Sequence, residues 1–265
     1  MASTVQDWND PATVASWIAT RAESNPGRSE HLEKLITLLG QGQPEGLRVL
    51  DLGCGDGMVA ELVLTHLPGS YVAGVDLSPP MLEAAAARLA AYPGRYALYR
   101  RSLQDSTPLA GEAPFDAAIA VQSVHHLDPA EKQALFAWVA GRLRPGGIFL
   151  LSDRIHLPSA ALFPYYQALY AARQARHGAA PLPAGFGYAA HLRALALRAD
   201  LPDTVEDQLT WLRAAGFGEA GCFYRYIERA VFGGLKLPAQ PPGQPAADDA
   251  SAAVIDEPNA ADRVF

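Results

Sequence analysis

The 265-residue chain has only two cysteines, Cys54 and Cys222. One stands in a glycine loop and the other in an expected strand, which excludes a disulfide framework or a cysteine-based metal cluster and assigns them no redox role. Lysine is nearly as scarce: beyond Lys34, Lys132 and Lys236 every basic side chain is arginine, so abundant arginine is a property of the whole composition. With 21 basic against 28 acidic residues the formal net charge is -7. Nothing in that balance draws the chain to a phosphate backbone, and no nucleic-acid partner is expected. No apolar run approaches the roughly 18 residues of a membrane span. The first residues include Asp7, Asn9 and Asp10, where a secretory segment would need a basic start and an apolar stretch. A cytoplasmic protein without a membrane anchor is expected.

What remains is roughly half apolar and long enough for one α/β domain with insertions to bury a full core. Between 47 and 152 a strand-then-helix rhythm repeats. Strands are expected over 47–52, 71–77, 95–101, 115–122 and 147–152, and helices over 58–67, 80–91 and 129–143, the last capped by Asp128. This alternation predicts an α/β, doubly wound, Rossmann-like and mostly parallel sheet, with ligands beyond the carboxyl ends of its strands. Upstream, Leu32, Leu35, Ile36 and Leu39 recur at helical spacing over 30–39, with Ser29 as cap and Gly40 as stop, and residues 1–46 read as an N-terminal helical lid. Downstream, aromatic, alanine-rich helices expected over 160–177 and 188–199 break the rhythm, so 153–203 reads as a helical cap. Thr204 with Asp207 starts a further helix, and the runs 221–226 and 229–235 form a terminal antiparallel hairpin that brings the sheet to seven strands. The main domain is therefore 47–237. From 238 to 265 Pro, Ala, Asp and Gln dominate, and a disordered tail is expected.

The sequence Asp51-Leu52-Gly53-Cys54-Gly55-Asp56-Gly57 sets three glycines at alternate positions between a strand and a helix. Glycine lets the backbone turn tightly and approach a ligand with no Cβ in the way, while amides exposed at the helix start favour an anionic group such as a carboxylate. Any tight turn can use such glycines, so Asp51 is the sharper feature. A carboxylate at a strand end repels a dinucleotide pyrophosphate but suits a ligand that carries an ammonium and a sulfonium, which favours S-adenosylmethionine (SAM) over NAD. Asp76 ends the next strand and can accept hydrogen bonds from both ribose hydroxyls, although an acid there could also simply cap a turn.

Together with Phe115-Asp116-Ala117-Ala118-Ile119 and Leu143-Arg144-Pro145-Gly146-Gly147, these residues resemble the class I SAM-dependent methyltransferases. The glycine loop is similar to that family's first motif, Asp76 to its acidic second-strand motif, 115–119 to its fourth strand and 143–147 to the turn before its fifth. The resemblance spans roughly 47–152; over 207–235 it is weaker, where Gln208-Leu209-Thr210-Trp211-Leu212 looks like the helix before the last two strands. It implies SAM as cofactor, with Asp51, Gly53, Gly55, Asp76, Leu77, Met81, Val121 and Gln122 around it. One departure concerns the adenine. Similar enzymes carry an acid after the third strand, and that place falls here on Ser102, with Leu103 supplying a backbone amide; Asp105, three positions late, is the alternative. Met81 packs on the adenine or belongs to the core.

In methyl transfer the cofactor brings the activated leaving group, so the protein contributes chiefly proximity, orientation and exclusion of water. A base is needed only where the acceptor must lose a proton. His125 and His126 follow the fourth strand, where the methyl group should lie. Neighbours in an extended segment point oppositely, so only one would face the site and the pair would chelate a metal poorly; His126 is the candidate base, a helix-capping histidine the alternative. Asp153 and His156 offer a second base pair or metal ligands, or merely a solvated loop, and no metal site is expected. The cap would receive the acceptor: Arg154, Tyr165, Tyr166 and Tyr188 can meet a planar or carboxylate-bearing small molecule, with Tyr170, His191 and Arg193 nearby, and packing is the competing role for each. The reading is an enzyme, monomer or homodimer, that methylates O, N or C of a small-molecule acceptor. NAD-linked oxidoreduction, a non-catalytic or SAM-modifying protein, and RNA methylation are the competing readings.

Overall fold

The computed structural model describes residues 7–24, 27–42, 44–107, 109, 111–177 and 182–237. The tail expected over 238–265 lies outside the described residues. Strands β1 (Arg48–Leu52), β2 (Tyr71–Asp76), β3 (Tyr96–Arg100), β4 (Phe115–Val121), β5 (Leu143–Arg154), β6 (Glu219–Tyr226) and β7 (Arg229–Leu235) form one sheet in the order β3-β2-β1-β4-β5-β7-β6. The first five pair in parallel, and β7 runs antiparallel to both β5 and β6. This is the doubly wound sheet with a terminal hairpin that the alternation predicts. The chain winds outward from β1 to β3 and then returns to β4 on the other side, so the strand order reverses between β1 and β4. Their carboxyl ends flank the crevice where such sheets bind ligands.

Both faces of the sheet are covered. On one, Val49 and Ile119 join Leu35 and Leu39 of α2 (Arg28–Gly40) and Val63 of α3 (Met58–His66). On the other, Leu50, Leu52 and Phe149 join Phe136 of α5 (Pro129–Arg142), Leu212 of α8 (Val205–Ala214) and Phe217. A strand covered on both sides has no solvated face, which is why β1 and β4 read as nearly unbroken apolar runs. Phe149 meets Phe136 and Phe217 at centroid distances of 5.7 and 5.9 Å. The remaining helices are α1 (Pro11–Ser24), α4 (Pro79–Leu89), α6 (Phe163–His177) and α7 (Tyr188–Ala196). None of the described helices is long and apolar enough to cross a membrane.

Local chemistry sets most boundaries where expected. Asp128 accepts from the Glu131 amide at 2.8 Å while Glu131 accepts from the Asp128 amide at 2.8 Å, a reciprocal cap for α5, and Thr204 accepts from the Asp207 amide at 3.1 Å to start α8. Two expectations need correction. Ser29 does not cap α2, because the helix already begins at Arg28 after Gly27, with no side-chain cap. β5 begins at Leu143 rather than 147, because Gly146 and Gly147 exchange backbone hydrogen bonds with Lys236 at 2.7 and 2.8 Å and so keep the expected turn inside the ladder.

Candidate functional site

The glycine loop sits between β1 and α3 at the switch point. Gly53, Gly55 and Gly57 have φ of +71°, +53° and +75°, a region open to glycine and strained for other residues. The amides of Gly53 and Cys54 both donate to the Val75 carbonyl, at 2.8 and 3.0 Å, which pins the loop to β2. A Cβ at Gly53 would lie 2.3 Å from the Ser123 Cβ, so this glycine makes room for the segment after β4. Only at Gly55 is the neighbouring space open, the nearest atom being the Met81 sulfur at 3.9 Å from a built Cβ. The expectation that glycines clear space for a ligand therefore applies to Gly55, and close packing explains Gly53.

Asp51 is buried, and neither of its carboxylate oxygens has a hydrogen-bond partner among the described residues. Burial, with the nearby Asp76 adding to it, pushes its carboxyl up to about 7. A buried acid without a donor is costly, and a cationic group brought beside it would remove that cost. Asp76 accepts from the Gly55 amide at 2.8 Å and the Ser78 amide at 2.9 Å, one on each oxygen, and keeps further lone pairs free. Burial raises its carboxyl too, against these hydrogen bonds. Leu77 beside it is 55% exposed, an apolar side chain on the rim of the crevice, while Met81 is buried at the start of α4. From the N-terminal side, the Trp8 carbonyl accepts a hydrogen bond from Ser78, so the first described residues reach the end of β2.

At the expected adenine end the side chains are turned to their own loop. The Ser102 hydroxyl bonds Gln104, and Asp105 is exposed, paired with Arg101 at 2.9 Å and accepting from the Thr107 amide at 2.9 Å. The Leu103 side chain packs on the core. The structure thus places Ser102 and Leu103 just past the end of β3, with the Ser102 hydroxyl engaged by Gln104 of its own loop. On β4, Val121 is buried, and Gln122 has a φ of +58° while its amide donates to the Ser152 carbonyl at 3.0 Å. A non-glycine residue held there marks a strained turn directly beside the glycine loop.

The histidine pair departs from the expected geometry. Residues Val124–His126 form a single turn of 3₁₀ helix, so the two rings do not point oppositely but lie 4.2 Å apart. His125 is buried, with Nδ1 hydrogen-bonded to Asp153 and Nε2 lying 3.5 Å from Asp200 Oδ1. His126 is more exposed, its Nδ1 3.4 Å from the Ala199 carbonyl and 3.6 Å from the same Asp200 oxygen. Burial, reinforced by His125, lowers the His126 pKa. Asp153 is not in a solvated loop: it is buried in β5 and accepts from the amides of Val124, His125 and Arg154 at 2.9, 3.0 and 2.7 Å. Burial opposes its charge, but His125 and these donors hold its carboxyl below the usual range.

The cap is divided. Tyr165 is 72% exposed, while Phe163 and Tyr170 take the buried positions of α6, so Tyr165 is not packed with the rest of the expected acceptor set. Tyr166 is half-buried, and the Tyr188 hydroxyl lies 3.1 Å from both His156 Nε2 and the Leu157 carbonyl. Arg154 pairs with Asp200 at 3.4 Å and stands opposite Arg229 in the β5–β7 ladder. Glu228 meets Arg173 at 3.6 Å and Tyr170, and although burial opposes its charge, Arg229 and Arg173 hold its carboxyl low. Asp200, Glu228 and Arg229 are the polar residues that sequence reasoning missed. Asp200 lies in a loop and the adjacent Glu228 and Arg229 at the hairpin turn, and only the fold gathers them.

Residues 50–149 match the family model of a methyltransferase domain. An uncharacterized methyltransferase of Synechocystis sp. is 33% identical over 150 residues, which cover 57% of this chain and 66% of that protein. A carboxy-S-adenosyl-L-methionine synthase of Aeromonas salmonicida is 33% identical over 138 residues, covering 49% of this chain and 53% of that one. Among solved structures, human N-acetylserotonin methyltransferase in complex with SAM has a similar fold, with a TM-score of 0.58 at 14% identity, over 87% of this chain and 58% of that one. The chain spans less than two thirds of the length of each of these proteins.

Proposed function

This chain belongs to the class I SAM-dependent methyltransferases, and from that premise we propose that it moves a methyl group from SAM to a small-molecule acceptor held beneath α6 and α7. The observation that carries the proposal is the buried, unpartnered carboxylate of Asp51 beside Asp76 at the open glycine loop. In this reading Asp51 faces the ammonium of the methionine portion, and the free lone pairs of Asp76 accept from the ribose hydroxyls. Leu77 and Met81 flank the adenine with Ser102 and Leu103 at its edge, while Gly53 and Gly55 shape the loop and Val121 and Gln122 border the methionine chain. Bound SAM supplies a methyl on a sulfonium: the acceptor lone pair bonds to the methyl carbon as the carbon–sulfur bond breaks and sulfur keeps the pair as a thioether. His126, at the turn beside the loop, takes the proton of a protic acceptor at a ring nitrogen. Arg154, Tyr166 and Tyr188 hold the acceptor and exclude water.

The relative named as a carboxy-S-adenosyl-L-methionine synthase supports a second reading, in which SAM is itself the molecule modified. Incubation with methyl-labelled SAM and a panel of phenols, amines and carboxylic acids separates the two. Label appearing in an acceptor supports methyl transfer. Consumption of SAM with the label retained on a sulfonium product supports the second reading, and unchanged SAM contradicts both. With an acceptor in hand, His126→Gln is expected to lower turnover at least about tenfold with SAM affinity unchanged.

A further inference from the structure

We propose that His125, His126 and Asp200 form a binding site for a first-row divalent cation next to the glycine loop. Their three donor atoms, one from each side chain, lie within 4.8 Å of one another. Asp200 Oδ1 is 3.5 Å from His125 Nε2 and 3.6 Å from His126 Nδ1. Those separations are long for a hydrogen bond and close to the spacing of ligands that each stand about 2.0–2.2 Å from a shared ion.

The surroundings are those of a built site. His125 is held through its other ring nitrogen by Asp153, a carboxylate fixed by three backbone amides. A carboxylate that accepts Nδ1–H leaves the Nε2 lone pair facing Asp200, the arrangement that orients metal-binding histidines. In that tautomer two acceptors face each other, and a cation between them, whether a proton or a metal ion, resolves the conflict. Asp200 is fixed as well: the next residue, Leu201, donates its amide to the His125 carbonyl at 2.7 Å, and the buried Lys132 donates to Leu201 and Asp203. Arg154 engages the other oxygen of Asp200 at 3.4 Å and leaves Oδ1 for the ion.

Two imidazoles and one carboxylate select zinc, cobalt, nickel or ferrous iron over magnesium and calcium, which prefer all-oxygen shells. Three protein ligands with the more exposed His126 at the edge leave coordination positions open toward the crevice. The turn carrying both histidines follows Ser123, which donates to the Leu52 carbonyl at 2.7 Å and abuts Gly53. The site therefore adjoins the proposed methyl-transfer position, but its existence does not rest on that reading. As a ligand His126 sets metal affinity, whereas as a base it sets only turnover.

The test is titration of the untagged, metal-stripped full chain with Co2+, read by the visible absorption of the bound ion and by competition with Zn2+, without SAM or acceptor. The expected result is a single Co2+ site, displaced by Zn2+, with affinity lowered at least about tenfold in both His126→Gln and Asp200→Asn and about 10–100-fold in Asp153→Asn. The His66→Gln variant, outside the cluster, should bind as the wild type does. Thermal melts of each variant show that it is folded; His126→Gln, at the most exposed ligand, is the informative one if Asp153→Asn or Asp200→Asn fails to fold. Absence of Co2+ binding, or binding unchanged in His126→Gln, would overturn the proposal. Because SAM is absent throughout, neither outcome bears on whether the protein binds SAM.

Discussion

At position 51 the chain places a carboxyl group at the end of a strand covered on both faces, with neither oxygen hydrogen-bonded among the described residues. Burial lifts its pKa from 3.8 to about 7, so between those values the folded state holds more protons than the unfolded one. Stability of the ligand-free protein must then fall as pH rises through that window, by an amount on the order of a few kcal/mol. Asparagine cannot ionise and escapes this loss. Relative to wild type, Asp51→Asn should become steadily more stable between about pH 4 and about pH 7 in thermal melts without SAM, and a difference that stays flat would contradict the assignment. The importance of Asp51 was legible in the sequence because a strand end followed by alternate glycines is local information. The pairing of His125 with Asp153 was not. It depends on Val124–His126 curling into a 3₁₀ turn, where an extended segment would have sent the rings apart. Ser102 shows the same limit: its position after β3 was readable, but its bond to Gln104 follows from loop geometry.

Elements were legible where a side chain closes them and less so where backbone pairing decides. Asp128 and Thr204 cap their helices as their spacing predicts. β5 runs past a Pro-Gly-Gly segment that reads as a turn, because Lys236, just past the end of β7, supplies backbone partners to Gly146 and Gly147. The same dependence governs the β1–α3 loop, whose Gly53 is fitted to Ser123 from the far side of the switch point. An alanine there meets both a 2.3 Å contact and a φ of +71°, the second alone worth about 1–2 kcal/mol. Ser123→Gly removes the contact but also the hydrogen bond to Leu52. On its own, Ser123→Gly should therefore lower stability, whereas in the Gly53→Ala background it should raise it while leaving the φ cost. Chemical denaturation of the four proteins of this cycle checks the reversal of sign; the same sign in both backgrounds would mean that the two elements are not packed as described.

Over the whole molecule, the order β3-β2-β1-β4-β5-β7-β6 brings residues far apart in sequence to one edge of the sheet. Asp51 and Asp76 come from strands on one side of the reversal, His126 and Asp153 from the other, and Asp200 from the loop after α7. The donor half of the site lies within one stretch of repeating strands and helices, so its pattern survives in the sequence. The half proposed for the acceptor draws on the cap, the hairpin and the end of β5, and no spacing announces that Glu228, Arg229 and Tyr170 will meet. The proposed methyl transfer depends on SAM entering between Asp51 and Asp76. Calorimetric titration of SAM into the full chain and its Asp76→Ala variant tests this most directly: saturable binding by the wild type, weakened at least about tenfold in the variant, is the predicted result, and undiminished affinity in Asp76→Ala, or no binding by the wild type, would contradict it.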